Sequence, residues 1–198
     1  MKPARGPAPP RPGGASRAPH QVRIIGGQWR RSVLPVASLP GLRPTPDRVR
    51  ETLFNWLGQD LTGWRVLDAF AGSGALGFEA ASRGAAEVLL VEHDPTLVRS
   101  LDASRERLKA TGLRVQRGDG LGVLRGGRAR WELVLLDPPF DAGLAQPALA
   151  AAAGAVVPGG WVYLESGEPA PAPPAGLRLH RSGRAGAVHY ALFQADPA

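Results

Sequence analysis

The sequence contains no cysteine, so it can form neither a disulfide framework nor a thiolate metal site. No apolar run approaches the roughly 20 residues that a helix needs to cross a bilayer. Residues 1–21 also lack the apolar segment of a signal peptide. These absences exclude a disulfide-stapled secreted protein and predict a cytoplasmic protein that is not embedded in a membrane.

Length and charge narrow the possibilities further. A chain of 198 residues, 43% of them hydrophobic, predicts one domain with a real core, or one domain with an appendage. The net charge is +7, but residues 1–52 hold ten Lys/Arg against two Asp/Glu, and the rest hold fourteen against fifteen. Basic charge gathered at one end suggests a polyanionic partner, and a merely solubilising tail explains it about as well.

The basic end divides into a tail and a short extension. Residues 1–21 are rich in Pro, Gly and Ala without a hydrophobic period, which predicts disorder. Residues 22–42 contain two β-prone runs around Gly26-Gly27, the pattern of a two-residue hairpin turn. Such a turn places Arg23 opposite Arg30, and like charges so placed are destabilising. A phosphate backbone would supply the missing negative charge, so we expect Arg23 and Arg30, extended by Arg31, to bind RNA.

The stretch RPTPDRVRETLFNWL predicts a helix. Thr45 suits the capping position, and Pro46 suits the first helical position. The apolar residues at helical spacing form one face: Val49, Leu53, Trp56 and Leu57.

From residue 64 onward, short apolar runs alternate with helical segments. This alternation predicts an α/β domain, spanning residues 43–198, whose mostly parallel sheet is covered on both faces. The last two strands are joined by a short turn, which predicts an antiparallel pair. We expect the earlier strands near 65–70, 87–91, 113–116, 132–136 and 160–165, and helices near 75–83, 95–110, 120–125 and 145–153.

A glycine-rich turn follows the first of these strands. Gly72, Gly74 and Gly77 have G-x-G-x-x-G spacing, and Glu92 lies 20 residues after Gly72. Glycines let the backbone approach a ligand at the start of a helix, and an acid that ends the next strand can accept from ribose hydroxyls. Asp68, four residues before Gly72, would repel a pyrophosphate but would favour a cationic ligand. Gly77 alone could serve only helix packing.

The segment Asp137-Pro138-Pro139-Phe140 ends a strand that is apolar throughout. Proline after Asp137 holds the aspartate extended, and neither proline has an N–H to donate. The Asp137 carboxylate and the Pro138 carbonyl are therefore two fixed acceptors, which suit an exocyclic amine with two N–H donors. Phe140 can stack on the ring that carries the amine. Orienting the amine in this way is catalysis by positioning and electrostatics, and we expect these four residues to be catalytic.

Together these segments resemble a known family. DAFAGSGALG with DPPF is similar to the S-adenosylmethionine-dependent amino methyltransferases. RIIGGQWR, LRPTPDRVRETLFNWL, LDAFAGSGALGFEA and LLDPPF, in this order, resemble the bacterial 16S rRNA guanine-N2 methyltransferases. The resemblance covers residues 23 to about 194. It implies a Rossmann-like seven-stranded sheet, S-adenosylmethionine as cofactor, and 16S rRNA or the small ribosomal subunit as partner, for a monomeric enzyme without a metal.

The resemblance also implies roles for single residues. Asp137 to Phe140 would hold the target guanine, and Arg43 and Thr45 would close over the cofactor or the RNA. Glu92 would contact the ribose of the cofactor and Asp119 its adenine amine, although Asp119 could equally be a helix cap. The remaining residues expected at the cofactor, mostly at its methionine end, are Asp68, Phe70, Gly72, Ser73 and Gly74.

Three other functions remain open from the sequence. A DNA or other nucleic-acid amino methyltransferase is possible because D-P-P-F does not identify the base, although the chain leaves little room for a sequence-reading domain. A nicotinamide oxidoreductase would share the glycine motif but bind a different cofactor. A non-catalytic RNA-binding protein would not need Asp137 and the glycines.

Overall fold

The structure, a computed structural model, describes residues 21–36, 45–127 and 130–198. The predicted tail up to residue 20 and Arg43 lie outside the described residues. Within the described ranges, no helix is long and apolar enough to cross a membrane.

The described chain forms a two-stranded hairpin and an α/β domain. The strands are β1 (Gln21–Arg23), β2 (Val33–Pro35), β3 (Arg65–Asp68), β4 (Glu87–Glu92), β5 (Leu113–Arg117), β6 (Trp131–Leu136), β7 (Val156–Ser166), β8 (Leu177–Ala185) and β9 (Val188–Ala195). The helices are α1 (Asp47–Trp56), α2 (Ala75–Ser82), α3 (Pro95–Leu108), α4 (Gly120–Gly126) and α5 (Ala145–Ala155), with a 3₁₀ turn at Phe140–Ala142.

Strands β3 to β9 form one seven-stranded sheet in the order β5-β4-β3-β6-β7-β9-β8. The pairs among β3 to β7 are parallel, and β9 pairs antiparallel with both β7 and β8. This arrangement confirms the predicted mostly parallel sheet with a reversed final hairpin.

The central strands bury side chains on both faces of the sheet. One face, which packs against α1, α2 and α3, receives Val66, Leu133, Leu135 and Tyr163. The opposite face, which packs against α4 and α5, receives Leu67, Val134, Leu136, Val162 and Leu164. Because side chains alternate along a strand, the residues that follow on the first face are Asp68, Asp137 and Glu165. The carboxylates of these three residues therefore project from the same face of the sheet.

The N-terminal hairpin exists, but the predicted register is wrong. Val22 pairs with Leu34, and Arg23 pairs with Val33 rather than with Arg30. Ile24 still exchanges backbone hydrogen bonds across the hairpin, and residues 25–30 form a loop instead of a two-residue turn. Arg23 and Arg30 are therefore not paired across the two strands. The like-charge repulsion from which RNA binding was predicted is absent.

Contacts with α2 explain the longer loop. The N–H groups of Ile25 and Gly26 donate to the Glu79 carboxylate, each at 2.8 Å. Gln28 N–H donates to the Ser82 carbonyl at 2.8 Å, and a Cβ added to Gly27 would lie 1.8 Å from that same oxygen. Hydrogen bonds to a buried partner outweigh the local preference for a tight turn.

Helix α1 begins one residue later than expected. Pro46 occupies the capping position, and no side chain caps the helix. Thr45 is instead buried, and its hydroxyl contacts the Glu165 carboxylate, an influence that lowers the pKa of Glu165. The predicted apolar face is confirmed: Val49, Leu53 and Leu57 are buried, and Trp56 packs against the core.

Candidate active site

The carboxylates predicted at strand ends do lie at the carboxyl edge of the sheet. Asp68 is the last residue of β3, and Glu92 is the last residue of β4. Asp137 directly follows β6, and Asp119 lies two residues beyond the end of β5. Since β5, β4, β3 and β6 are consecutive neighbours, the four acids border one crevice.

The glycine turn sits in this crevice, held by Glu92. Gly72 and Gly74 have φ of +53° and +79°, a backbone region that favours glycine. Glu92 accepts from the N–H of Gly72 and from the N–H of Asp94, both at 2.9 Å. Phe70 and Ser73, also expected at the cofactor, are half-buried within the same turn. Glu92 thus shapes the turn in addition to any contact it makes with a ligand.

Asp68 is buried with one oxygen unpaired. Its Oδ2 accepts from the N–H of Gly77 at 3.1 Å, while its Oδ1 has no partner. Burial raises the pKa of Asp68 to about 7, against opposing hydrogen bonds from the backbone of Gly77 and Phe70. An unpaired buried carboxylate oxygen is costly, and a cationic or N–H-bearing ligand would satisfy it. Gly77 also permits close packing, because a Cβ there would lie 2.1 Å from Leu90.

Asp119 has a local structural role. Its carboxylate caps α4, accepting from Leu121 N–H at 3.1 Å and from Gly122 N–H at 3.0 Å. The helix-cap interpretation is therefore correct. A carboxylate has more lone pairs than these two bonds use, so a contact with an adenine amine stays a prediction.

Pro138, Pro139 and Phe140 form one wall of a cavity of about 310 Å³, and Asp137 directly precedes them in the chain. This volume is at the lower end of the range of about 300–1,000 Å³ typical of small-ligand pockets. Asp137 is half-buried, Pro138 is buried, and Phe140 is 45% exposed, with its ring available for stacking. Burial raises the pKa of Asp137 well above its ordinary value, and the negative charges of Glu165 and Asp68 raise it further.

Glu165 is a site residue that we did not predict. It lines the same cavity and is 2% exposed. The hydroxyl of Tyr163 donates to its Oε1 at 2.9 Å. Burial raises the pKa of Glu165, whereas contacts with Thr45, Tyr163 and the Arg50 guanidinium lower it. The sequence did contain a signal, because Glu165 ends a predicted strand in the same way as Asp68 does.

The three arginines predicted to bind RNA are exposed but lie away from the crevice. Arg30 belongs to the hairpin loop and Arg31 directly follows it. This loop is bonded to Ser82 at the last turn of α2, whereas the glycine turn precedes the first turn of that helix. At a rise of 1.5 Å per residue, the eight residues of α2 separate the hairpin loop from the glycine turn by about 10 Å. A wider cavity of about 900 Å³ lies beside the loop, between it and the ends of α1 and α2.

Comparison with known proteins identifies the family. A family model described as "Conserved hypothetical protein 95" matches residues 22–194. The Escherichia coli protein named ribosomal RNA small subunit methyltransferase D is 43% identical over 184 residues, which are 89% of this chain and 91% of that protein. The chain belongs to this family of small-subunit rRNA methyltransferases. The resemblance predicted from the sequence motifs is confirmed.

Other members and solved structures agree with this placement. The family member of the same name from Haemophilus influenzae is 38% identical over 181 residues, covering 88% of this chain and 94% of that protein. The solved structure of yhhF from Escherichia coli has a TM-score of 0.80 at 43% identity, covering 90% of this chain and all of that one. An RNA methyltransferase from Salinibacter ruber, solved with S-adenosyl-L-homocysteine, shares the fold at 19% identity, with a TM-score of 0.58 over 78% of this chain and 94% of that one.

Proposed function

We propose that this protein transfers a methyl group from S-adenosylmethionine to the exocyclic N2 amine of a guanine in 16S ribosomal RNA. The observation that carries the proposal is the placement of Asp137-Pro138-Pro139-Phe140 beside the glycine turn, at one edge of this family's sheet. The relatives named as small-subunit rRNA methyltransferases support the substrate class. The alternative of a DNA amino methyltransferase has no comparable support.

The crevice suits S-adenosylmethionine better than a nicotinamide cofactor. The unpaired Oδ1 of Asp68 lies deep at the start of the glycine turn, where a pyrophosphate would meet a second negative charge. The positively charged methionine end of S-adenosylmethionine would be attracted there instead. Asp68, Gly72 and Gly74 would hold that end, with Phe70 and Ser73 also at the cofactor. Glu92 would hold the ribose and Asp119 the adenine amine, and Arg43 and Thr45 would close over the cofactor or the RNA. When bound, this cofactor supplies an electrophilic methyl group on a sulfonium.

The residues around Asp137 would prepare the amine. The Asp137 carboxylate and the Pro138 carbonyl accept its two hydrogens and so direct the nitrogen lone pair, while Phe140 stacks on the base. A base inside a duplex could not reach this cavity, so the guanine must be splayed out of its stack. Because its pKa is raised, Asp137 can hold the proton that the amine loses.

Methyl transfer from labelled cofactor tests the proposal directly. The purified protein would be given small ribosomal subunits, naked 16S rRNA and DNA, and the modified nucleoside would be identified. We expect N2-methylguanosine from ribosomal RNA and no label in DNA. Label only in DNA, or in a different nucleoside, would refute the proposed function.

Replacing Glu92 with alanine should weaken cofactor binding by about 1–3 kcal/mol, the range for buried partners left unpaired. The change removes an acceptor for ribose hydroxyls and also leaves the Gly72 N–H without its partner. Calorimetry measures the affinity, and RNA binding without cofactor should be unchanged. Unaltered cofactor affinity would limit Glu92 to a structural role.

The exposed arginines of the hairpin remain candidates for RNA contact. Replacing both Arg23 and Arg30 with alanine should weaken RNA binding and flatten its salt dependence by up to about two units of slope. Binding titrations at several salt concentrations measure this slope, and cofactor binding should survive. Because the two arginines do not face each other, no gain in stability is expected from relieved repulsion.

Arg114→Ala with Arg117→Ala is the matched control, because it removes the same charge from exposed positions on β5. An equal loss in the control would assign the effect to net charge rather than to the hairpin.

A further inference from the structure

The cavity lined by Pro138, Pro139 and Phe140 also contains a buried carboxylate, Glu165, to which the proposed transfer assigns no role. Asp137 and its neighbours account for an amine on a base, but adenine and cytosine also carry exocyclic amines. The acceptors at Asp137 and Pro138 therefore do not by themselves select guanine. What differs among the bases is the ring nitrogen beside the amine.

In guanine, the ring nitrogen next to the amine-bearing carbon, N1, carries a hydrogen. In adenine and cytosine, the corresponding nitrogen is a bare acceptor. A carboxylate facing this position accepts a hydrogen bond from guanine and repels the lone pair of the other two bases. Selection by such a group is strong because a buried acceptor left unpaired is costly.

Glu165 is the carboxylate in the position to do this. Leu136 of β6 is in register with Leu164 of β7, so the next residues along the two strands are neighbours, Asp137 and Glu165. Both point to the same face of the sheet, and Glu165 lines the cavity together with Pro138 and Phe140.

The loop after Glu165 closes against the Phe140 ring. A Cβ added to Gly167 would lie 3.3 Å from the Phe140 Cδ2 atom. A base stacked on Phe140 would therefore have Asp137 and Glu165 next to each other at its edge.

The surroundings of Glu165 hold its carboxylate in one place. Tyr163, two residues before it on the same strand, donates to Oε1, and the Thr45 hydroxyl and the positive charge of Arg50 lower the pKa of Glu165. Arg50 is fully buried and is itself bonded to Glu79 at 3.3 Å. A buried carboxylate that accepts from Tyr163 is held in place as an acceptor before the base arrives.

We propose that Glu165 determines the specificity for guanine by accepting the N1–H group beside the amine held at Asp137. This inference rests on the proposed function and adds the group that selects the base. It makes Glu165 a residue that touches the substrate, whereas Tyr163 positions it and Thr45 and Arg50 favour its charged form.

The test compares two target bases in otherwise identical 16S rRNA: guanine and 2-aminopurine at the methylated position. 2-Aminopurine keeps the 2-amine but has no hydrogen on N1. We expect the wild-type protein to prefer guanine by about 100-fold or more in kcat/KM. In Glu165→Gln this preference should fall by at least about tenfold, because the glutamine amide can donate to the bare N1. The loss of O6 in 2-aminopurine affects both proteins alike and cancels in the comparison.

Glu168→Gln is the matched control, because Glu168 lines the same cavity but is exposed, and its preference should match that of the wild type. If Glu165→Gln does not fold, Glu165→Asp, which withdraws the carboxylate by one methylene, should show the same fall in preference.

A preference that stays unchanged in the folded variants would reduce Glu165 to a structural residue and overturn the inference. A wild-type preference below about tenfold would overturn it without any variant. If the wild type forms no N2-methylguanosine in 16S rRNA, the proposed function itself fails, which is a separate and visible result.

Discussion

Replacing Asp137 with alanine should lower kcat by about 100-fold or more and leave cofactor affinity nearly unchanged. The change removes one of two preorganised acceptors on the amine, and loss of a single such contact typically has an effect of this size. Single-turnover methyl transfer to 16S rRNA measures the rate, and calorimetry measures the affinity. Asp137→Asn keeps a carbonyl acceptor and should lose less than the alanine variant. Near-normal turnover in Asp137→Ala would remove Asp137 from the catalytic machinery.

The Asp137→Asn variant also distinguishes an effect on catalysis from an effect on stability. Because the pKa of Asp137 is raised in the folded state, the folded protein binds more protons there than the unfolded chain. The contribution of this carboxyl to stability therefore decreases as pH rises from its ordinary pKa through the raised one. At neutral pH, Asp137→Asn removes the cost of ionising a partly desolvated carboxyl beside Glu165 and Asp68, so the free energy of unfolding should hold or rise. A loss of activity caused by misfolding would show the opposite change.

Replacing Glu79 with alanine should lower the free energy of unfolding by about 3–5 kcal/mol, the usual cost of breaking a buried ion pair from one side. Glu79 is fully buried and accepts from Arg83 Nη2 at 2.8 Å and from Arg50 Nη1 at 3.3 Å. It also accepts from the backbone of Ile25 and Gly26. The substitution leaves two buried guanidinium groups and two N–H donors without this acceptor.

Urea unfolding measures the effect, with Glu79→Gln expected to lose less because it keeps one acceptor oxygen. Glu106→Ala serves as a control, since the side chain of Glu106 is 75% exposed and should change stability little. A loss below about 1 kcal/mol in Glu79→Ala would contradict the view that this carboxylate anchors the hairpin to α2.

Much of the catalytic edge could be predicted from the sequence because the signals there are local. A strand that ends in an acid, a glycine turn before a helix and a D-P-P-F segment each occupy a few consecutive residues. In a parallel sheet the carboxyl ends of neighbouring strands share one edge, so recognising the strands brings Asp68, Glu92 and Asp137 together without further information. Glu165 ends a predicted strand in the same way, and the same argument applied to it would have found it.

The hairpin shows where local signals fail. Gly26-Gly27 favours a two-residue turn by its own conformational preferences, but the loop is shaped by hydrogen bonds to Glu79 and Ser82, more than 50 residues away in the sequence. Thr45 shows the same effect, since a good capping residue is buried against Glu165 instead of capping α1. Neither outcome could be predicted from the residues next to Gly26 or Thr45.

The sequence by itself determined the strand and helix order, the mostly parallel sheet, the family and the segments that line the crevice. All of these depend on hydrophobic periodicity, turn chemistry and motif spacing, which act over short stretches of chain. Only the tertiary structure decided the hairpin register and the burial of Arg50 and Glu79. These features depend on which distant polar group satisfies a buried donor or acceptor, and that choice is made only when the elements pack together.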